Sequence, residues 1–279
     1  MPVLLAFDTA TESMSIALAV RGESFVHEAA GGARASATLI PAILGLLAHA
    51  GVGLSDLDAI AFGRGPGAFT GLRTACSVAQ GLAWGAGKPV LPIDTLLVVA
   101  ADALEHAQQG TQKEPQDEPK KVPQEKSLER TSARETARRG ASPAQSVWVA
   151  MDARMGEVYA GHYSFIDGVW TVLEAPMLST PEALNARWRI QPPALIAGNA
   201  LTAFATRLET GAAQLAPAAL PRAGAMLSIA RAMWARGAAV DAALALPLYL
   251  RDKVAQTTIE REAARAASAG AAAGAESSR

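Results

Sequence analysis

The chain has 279 residues and a formal net charge of −1, and half of its residues are hydrophobic although only 5% are aromatic. The near-neutral charge argues against a globally basic nucleic-acid binder. The single cysteine, Cys76, excludes an intrachain disulfide framework, and its apolar neighbours predict a buried small side chain rather than a nucleophile. We find no secretory leader and no apolar run of about 20 residues, so we expect a cytoplasmic protein without a membrane span.

The first 107 residues predict an α/β lobe. Short apolar or alternating runs bounded by turn residues predict strands, and longer periodic apolar segments predict helices. In chain order the predicted elements are strands at 3–8, 13–20 and 23–28, a helix at 36–50, a strand at 58–63, a helix at 70–86, a strand at 89–93 and a helix at 95–107 with Thr95 as its N-cap.

Composition changes sharply after this lobe. The segment 108–145 is rich in Gln, Lys, Glu, Pro, Arg and Ser and has no aromatic residue, so it has too little apolar surface to offset the entropy of ordering it. We predict a disordered charged insertion that serves as a solvated linker. Its basic end, with Arg134, Arg138 and Arg139, leaves a nucleic-acid-binding arm as the alternative.

The pattern of the first lobe then repeats. The predicted elements are strands at 146–152, 156–164 and 169–174, a helix at 181–188, a strand at 194–197 and helices at 201–209 and 225–236. In both copies an apolar strand ends in an aspartate, Asp8 or Asp152, before a turn and a second strand. This internal duplication predicts two similar α/β lobes, each a mixed sheet with helices packed on it. The predicted domains are 1–107 and 146–255, followed by an Ala-rich tail at 256–279.

A glycine-rich loop, Gly63 to Arg73, connects a predicted buried strand with a predicted helix. A strand, a glycine-rich loop and a helix in this order can place backbone N–H groups around an anion. The rival interpretation is a tight turn whose glycines let the helix pack closely on the sheet. The loop lacks the Gly-Lys-Ser/Thr ending of a P-loop, which favours the turn.

Five segments carry a resemblance to a known family: 7–11 (FDTAT), 65–73 (GPGAFTGLR), 77–83 (SVAQGLA), 151–159 (MDARMGEVY) and 247–252 (PLYLRD). Together they resemble the TsaB family, which has two ribonuclease H-like lobes of the actin-like/hexokinase-like ATPase fold. The resemblance covers residues 1–107 and about 146–255. The insertion and the tail depart from the family pattern.

The resemblance implies a role without catalysis of its own. Proteins of this family help to make threonylcarbamoyladenosine on tRNA by binding and activating the transferase TsaD, a paralogue of the same fold. The modified base is an adenosine beside the anticodon in tRNAs that read codons beginning with A. A small ATPase, TsaE, joins the assembly, and tRNA is reached through the complex. The two paralogues pair through a bundle of first-lobe helices, and the chain alone is expected to form a homodimer through the same helices.

The resemblance also bears on metal binding. TsaD holds a metal through two histidines one helical turn apart, a spacing that places both imidazoles on one face. No two of the four histidines here are close in sequence: they are His27, His49, His106 and His162. We therefore expect no metal site, and the same absence weighs against a metallopeptidase.

The two aspartate turns are candidate nucleotide sites, because actin-like ATPases hold phosphate with a hairpin of the type Asp-x-Gly-Thr. The first turn keeps its hydroxyl side chains but has Ala10 in place of the glycine, and the second, residues 152–155, is bulky. We predict no cofactor bound by the chain alone and a nucleotide only at the interface with the partner. The predicted degenerate phosphate loop is Asp8, Thr9, Thr11, Gly65 and Gly67. The alternative is a small-molecule kinase or ATPase of this fold, in which Asp8 and Asp152 serve metal-phosphate and base chemistry.

The helix predicted at 70–86 has two distinct faces. At about 100° per residue, one stripe is apolar and suits the sheet: Leu72, Cys76, Ala79 and Ala83. Another stripe combines polar side chains with a large aromatic ring: Arg73, Ser77, Gln80 and Trp84. The helix at 36–50 is apolar around most of its circumference, so a second helix or another protein should cover the side that the sheet leaves free. The predicted partner interface is Ile40, Ile43, Leu44, Leu47, Arg73, Thr74, Ser77, Val78, Gln80, Gly81 and Trp84.

Two questions about this interface stay open at the level of sequence. Trp84 either anchors the partner or covers a neighbouring element of the same chain. Arg64 and Arg73, which flank the glycine-rich loop, either meet an anion or pair with acidic residues of the partner.

Overall fold

The computed structural model describes residues 1–111 and 145–251. The predicted tail at 256–279 lies outside the described residues, and so does the predicted insertion except at its two ends. At those ends, residues 108–111 belong to a helix and Gln145 begins a strand.

The first half of the described chain forms a five-stranded mixed sheet. Its elements are β1 (Leu4–Asp8), β2 (Ser13–Val20), β3 (Glu23–Ala30), α1 (Ala35–His49), β4 (Ala59–Gly65), α2 (Phe69–Ala86), β5 (Val90–Asp94) and α3 (Thr95–Thr111). The strand order is β3-β2-β1-β4-β5. Strand β2 runs antiparallel to both β1 and β3, whereas β4 is parallel to β1 and to β5. Every strand and helix predicted before residue 108 is present, with small shifts at the ends.

The second half repeats this topology. Its elements are β6 (Gln145–Asp152), β7 (Val158–Ile166), β8 (Val169–Ser179), α4 (Pro181–Ile190), β9 (Leu195–Ala197), α5 (Ala200–Ala203), β10 (Gln214–Ala216) and α6 (Ala223–Ala235). The order β8-β7-β6-β9-β10 has the same succession of antiparallel and parallel neighbours as the first sheet. The predicted fold class, two duplicated α/β lobes that each have a mixed sheet, is confirmed.

Two elements of the second half differ from the sequence-based prediction. The helix predicted at 201–209 is a single turn, α5, and strand β10 was not predicted. Strand β10 is three residues long, and its first two side chains, Gln214 and Leu215, are exposed. No apolar alternation therefore marks it in the sequence.

Helices pack on both faces of each sheet. Helices α1 and α2 cover one face of the first sheet. Helices α3 and α6 pack on its other face, and α3 also packs against the second sheet, whose outer face is covered by α4 and α5. Helix α6, from the second half of the chain, thus completes the core of the first sheet. Both sheets belong to one compact unit that ends at Leu248.

A buried ion pair ties α6 to α3. The Asp102 side chain is 2% exposed and accepts hydrogen bonds from the Arg222 guanidinium at 2.5 Å and from the Leu220 N–H at 3.0 Å. Arg222 immediately precedes α6, so this pair fixes where α6 begins relative to α3. A carboxylate this deeply buried is stabilised by its charged partner and its hydrogen bonds.

Residues 32–49 are long and apolar enough to cross a membrane by length and composition alone. They include α1, which packs Ala35, Leu39, Ile43 and Leu47 against the first sheet. These positions recur every four residues and form one buried stripe, by which α1 packs on the first sheet.

Candidate functional site

Asp8, at the end of β1, is 1% exposed and is bonded within the chain. Its carboxylate accepts the Ala10 N–H at 2.7 Å and the Thr95 hydroxyl at 2.9 Å. Burial raises the pKa of Asp8 from 3.8 to about 6, although both hydrogen bonds act in the opposite direction. Asp8 therefore orders its own turn and joins β1 to the start of α3. Thr95, which was predicted as the N-cap of α3, is the first residue of that helix. Its hydroxyl donates a hydrogen bond to the Asp8 carboxylate.

The glycine-rich loop lies directly against the Asp8 turn. A Cβ at Gly63 would overlap the Asp8 carboxylate, and a Cβ at Gly71 would overlap the Thr9 carbonyl. A Cβ at Gly67 would come within 2.6 Å of Ala10. Glycine is required at these positions because the loop lies against the Asp8 side chain at Gly63 and against the backbone of Thr9 and Ala10 at Gly71 and Gly67. The interpretation of the loop as a tight turn that starts α2 close to the sheet is confirmed.

Several polar groups of the predicted phosphate-loop residues are hydrogen-bonded to other residues of the chain. The buried Thr9 hydroxyl donates to the Gly71 carbonyl at 2.8 Å, and the Gly65 N–H donates to the Thr95 hydroxyl at 3.1 Å. Thr11 is more exposed, and its hydroxyl bonds the Ser13 carbonyl at 3.3 Å. The structure thus brings the first aspartate turn and the loop together. The Thr9 hydroxyl and the Gly65 N–H both form hydrogen bonds within the chain.

The second aspartate turn is held by an arginine. Asp152 accepts the Arg154 N–H at 2.8 Å and lies 3.4 Å from the Arg154 guanidinium, which also reaches Glu12 at 3.4 Å. Glu12 belongs to the first aspartate turn, so Arg154 bridges the equivalent turns of the two lobes.

Arg64 has neither of the two roles considered from the sequence, which were to meet an anion or to pair with an acidic residue of a partner. The Arg64 guanidinium pairs with Asp94 of its own chain at 2.6 Å, at the carboxyl ends of the parallel neighbours β4 and β5. Arg73 lies on α2, with its guanidinium 3.8 Å above the centre of the Phe69 ring. Only Arg73 of the two is on the surface predicted to meet a partner.

Helix α2 has the two faces that its periodicity predicts. The apolar stripe is buried: Leu72, Cys76, Ala79 and Ala83. Burial, with a smaller contribution from the Asp8 carboxylate, raises the pKa of Cys76 to about 12. The thiol stays protonated in the core, which confirms the predicted packing role.

Trp84 is the most exposed large hydrophobic residue of the predicted interface. It is 78% exposed, so the alternative that it covers a neighbouring element of the chain is wrong. Arg73, Ser77 and Gly81 on the same helix are exposed as well, whereas Thr74, Val78 and Gln80 are half-buried. A large aromatic ring among polar groups has the composition of a protein–protein interface.

Helix α1 corrects the predicted interface at two positions. Ile43 and Leu47 are 0% and 3% exposed because the buried stripe of α1 runs through them, so they belong to the core. Ile40 and Leu44 are 41% and 47% exposed and lie beside that stripe, each one residue after a buried position of the helix. We call the exposed surface of the two helices the α1–α2 outer face, and it comprises Ile40, Leu44, Arg73, Ser77, Gly81 and Trp84.

A groove of about 420 Å³ lies between the start of α1 and the first half of α2. Its lining residues are Ser36, Phe69, Thr70, Arg73, Thr74, Ser77 and Val78. Ser36, Phe69 and Thr70 were not predicted, because the groove arises from the packing of two helices. The available signal was the run of polar residues at 70, 73, 74 and 77, which share one side of α2.

The histidines are dispersed in the structure as they are in the sequence. His162 is 3% exposed, stacks on Trp148 and shares a hydrogen bond of 2.6 Å with the Ser146 hydroxyl. Burial lowers the pKa of His162, so it packs as a neutral ring. Within residues 1–111 and 145–251, no group of three or more His, Cys, Asp or Glu side chains is placed to hold a metal ion.

Two duplicated lobes of this topology define a two-lobed α/β protein of the actin-like fold. A family model described as TsaD, tRNA N6-adenosine threonylcarbamoyltransferase, matches residues 25–115. The solved structure of YeaZ from Pseudomonas aeruginosa is 35% identical, covers 90% of this chain and 100% of that chain, and superposes with a TM-score of 0.71.

Two curated relatives are similar over nearly their whole length. The tRNA threonylcarbamoyladenosine biosynthesis protein TsaB of Haemophilus influenzae is 32% identical over 90% of this chain and 94% of its own. The protein of the same name from Escherichia coli is 31% identical over 90% of this chain and 96% of its own. The chain belongs to the TsaB family of tRNA threonylcarbamoyladenosine biosynthesis proteins, which confirms the resemblance found in the sequence.

Proposed function

We propose that the chain is a non-catalytic subunit that binds and activates a TsaD-type transferase. The reaction it supports is threonylcarbamoylation of the adenosine beside the anticodon in tRNAs that read codons beginning with A. The observation that carries this proposal is the α1–α2 outer face, on which three large hydrophobic side chains are each exposed: Ile40, Leu44 and Trp84. Membership of the TsaB family, and the match of a TsaD family model to the segment that includes both helices, support the identity of the partner.

The α1–α2 outer face has the properties of a helix-docking surface. Both helices bury their inner stripes against the sheet, which leaves their outer stripes for helices of another protein. Gly81 and Gly85 on α2 and Gly45 on α1 have no atom within 4 Å of the position of an added Cβ. A partner helix can approach the backbone closely at such positions, with Trp84 as the central aromatic anchor.

The remaining parts of the proposal concern the assembly. A TsaE-type ATPase joins the complex, tRNA is reached through it, and a nucleotide binds only at the junction with the transferase. The internal hydrogen bonds of Thr9 and Gly65 support the absence of a nucleotide on the chain alone. The net charge of −1 supports an indirect contact with tRNA. We place the complex in the cytoplasm, and in the absence of the transferase a second copy occupies the same face.

The test is reconstitution from purified components. The chain, the transferase, the ATPase and tRNA are supplied with threonylcarbamoyl-AMP, and modified adenosine is measured with each component omitted in turn. We expect no product from the chain alone, product from the full set, and loss of product when the chain is left out. Product formed by the chain alone, or full activity without it, would contradict the proposal.

A further inference from the structure

The first aspartate turn, which joins β1 to β2, contacts the residues that lead into both helices of the α1–α2 outer face. The Ala10 carbonyl accepts the N–H of Ala68, the residue before α2, at 2.8 Å. The Glu12 carbonyl accepts the N–H of Gly31 at 2.8 Å, and a Cβ on Gly32 would come within 2.7 Å of Glu12 Oε2. Gly32 begins the 3-10 turn that leads directly into α1. One short turn of the first lobe is therefore in contact with the starts of both helices.

Arg154 reaches this turn from the second lobe. Its guanidinium lies 3.4 Å from a Glu12 carboxylate oxygen, although the two residues are 142 positions apart in the chain. Asp152 orients the arginine, because its carboxylate accepts the Arg154 N–H at 2.8 Å and lies 3.4 Å from the guanidinium. The Asp152 N–H in turn donates to the side-chain oxygen of Asn199 at 2.9 Å. Arg154 is thus held on the framework of the second lobe while it contacts the first.

The backbone of the Arg154 turn is unfavourable for the residues that form it. Arg154 and Met155 have φ angles of 63° and 54°, in the left-handed region that favours glycine and asparagine. The Glu157 N–H donates to the Arg154 carbonyl at 3.1 Å, and the Ala153 N–H donates to the Glu157 carbonyl at 2.9 Å. Backbone strain of this kind persists where surrounding contacts hold it, and it is concentrated at functional positions. The contacts of the arginine with one carboxylate in each lobe help to offset this strain.

We infer that Arg154 is a positioning residue for docking of the transferase: through Glu12 it couples the second lobe to the starts of α1 and α2. The inference rests on the proposed function. A partner that packs on two helices binds more tightly when the position of those helices is set before binding. The side chains of Arg154 and Glu12 are 73% and 81% exposed, so the ion pair makes a small contribution. A contact of this strength biases the position of the helices without locking it.

Removal of the ion pair is the first arm of the test. Arg154→Ala should weaken the complex with the transferase about two- to fivefold, which is the range expected for an exposed ion pair. Glu12→Gln, which keeps the shape of the side chain but not its charge, should weaken it by a similar factor. The double variant should weaken it no more than either single variant, because both changes remove the same contact. Calorimetric titration of the full-length chain with the transferase measures these constants.

Hydrogen exchange in the free chain is the second arm, because it detects the coupling without the partner. Arg154→Ala should speed amide exchange in the first two turns of α1 and α2. Arg189→Ala is the matched control, since it breaks another exposed pair, with Glu209 at 2.6 Å, that lies within the second lobe. This control should change neither the affinity nor the exchange in the two helices. Unfolding temperatures of all variants check that the fold is intact.

The outcomes separate this inference from the proposed function. If the wild-type chain binds the transferase and Arg154→Ala binds it as tightly, the positioning role is wrong while the proposed function stands. If the affinity falls but exchange in α1 and α2 does not change, or if the effects of the Arg154 and Glu12 variants add, coupling through Glu12 is wrong. If Arg189→Ala weakens binding as much, the effect is one of net charge and the inference is wrong. If the wild-type chain does not bind the transferase, both the inference and the proposed function are overturned.

Discussion

Replacement of Trp84 by alanine tests the docking surface most directly. An aromatic side chain buries about 150–250 Å² when it is fully covered. Because Trp84 is 78% exposed in the free chain, a partner that covers it removes about 120–200 Å² from water. At about 25 cal/mol per Å², that area is worth about 3–5 kcal/mol. Alanine retains part of the area, so we expect Trp84→Ala to weaken the complex by about 2–4 kcal/mol, or about 30-fold to 1,000-fold in Kd.

The free chain should be almost unaffected by the same substitution. A side chain with this exposure contributes little to the core, so the free energy of unfolding should change by no more than about 0.5 kcal/mol. Calorimetric titration with the transferase measures the first effect, and thermal unfolding of the free chain measures the second. Ile190→Ala is the matched control, because Ile190 is 88% exposed on α4 in the second lobe. An unchanged dissociation constant for Trp84→Ala would refute its role as the anchor.

Three further predictions concern the fold that positions this surface. Gly71→Ala should lower the free energy of unfolding by about 3 kcal/mol or more in urea titration, because the new Cβ overlaps a backbone carbonyl, whereas Gly45→Ala, with open space around it, should raise it by about 0.5–1 kcal/mol. Because the pKa of Asp8 is raised from 3.8 to about 6, the folded chain keeps a proton there that the unfolded chain releases between these values. Stability from this group is therefore full below about pH 4 and decreases as the pH rises through 6, by about 3 kcal/mol in total, and urea titrations at several pH values should show this loss in the wild type but not in Asp8→Asn. Asp102→Ala should cost about 2–3 kcal/mol by thermal unfolding, since it leaves the Arg222 guanidinium without its buried partner.

The duplicated fold could be predicted because each half of the sequence encodes it separately. Both halves begin with an apolar strand that ends in an aspartate, and both continue through two further strands before their first helix. The boundary between the lobes in three dimensions could not be predicted in this way. Helix α6 lies in the second half of the chain but packs on the first sheet. A helix that packs on either sheet needs an apolar face, so the apolar side chains of α6 do not reveal which sheet they cover.

The exposed side of α1 was the hardest part of the surface to predict. Hydrophobic periodicity assigns a buried face only when the opposite face is polar, and α1 has apolar residues on both. The sequence therefore grouped Ile43 and Leu47, which fill the core, with Ile40 and Leu44, which do not. The buried stripe of helix α2 was predicted correctly because polar residues interrupt the other side of that helix.

The pairing of Arg64 with Asp94 could have been predicted from the sequence. Asp94 lies 30 residues further along the chain, and each residue is close to the carboxyl end of its strand. Adjacent parallel strands bring such ends together, so the predicted succession of strand, helix and strand already placed the two charges as neighbours. An arginine paired in this way contributes to the local order of the sheet edge.

Hydrogen bonds connect the Asp8 turn to the start of α2, the helix that carries part of the α1–α2 outer face. Asp8 bonds Thr95 at the start of α3, and Thr95 in turn accepts the N–H of Gly65 in the glycine-rich loop. Thr9, the next residue after Asp8, bonds Gly71 in the first turn of α2. Both ends of the loop are thereby fixed to one buried turn, and α2 starts from that loop. A turn that resembles a phosphate site in sequence therefore acts in this chain as the support that sets the position of the helix carrying Arg73 and Trp84.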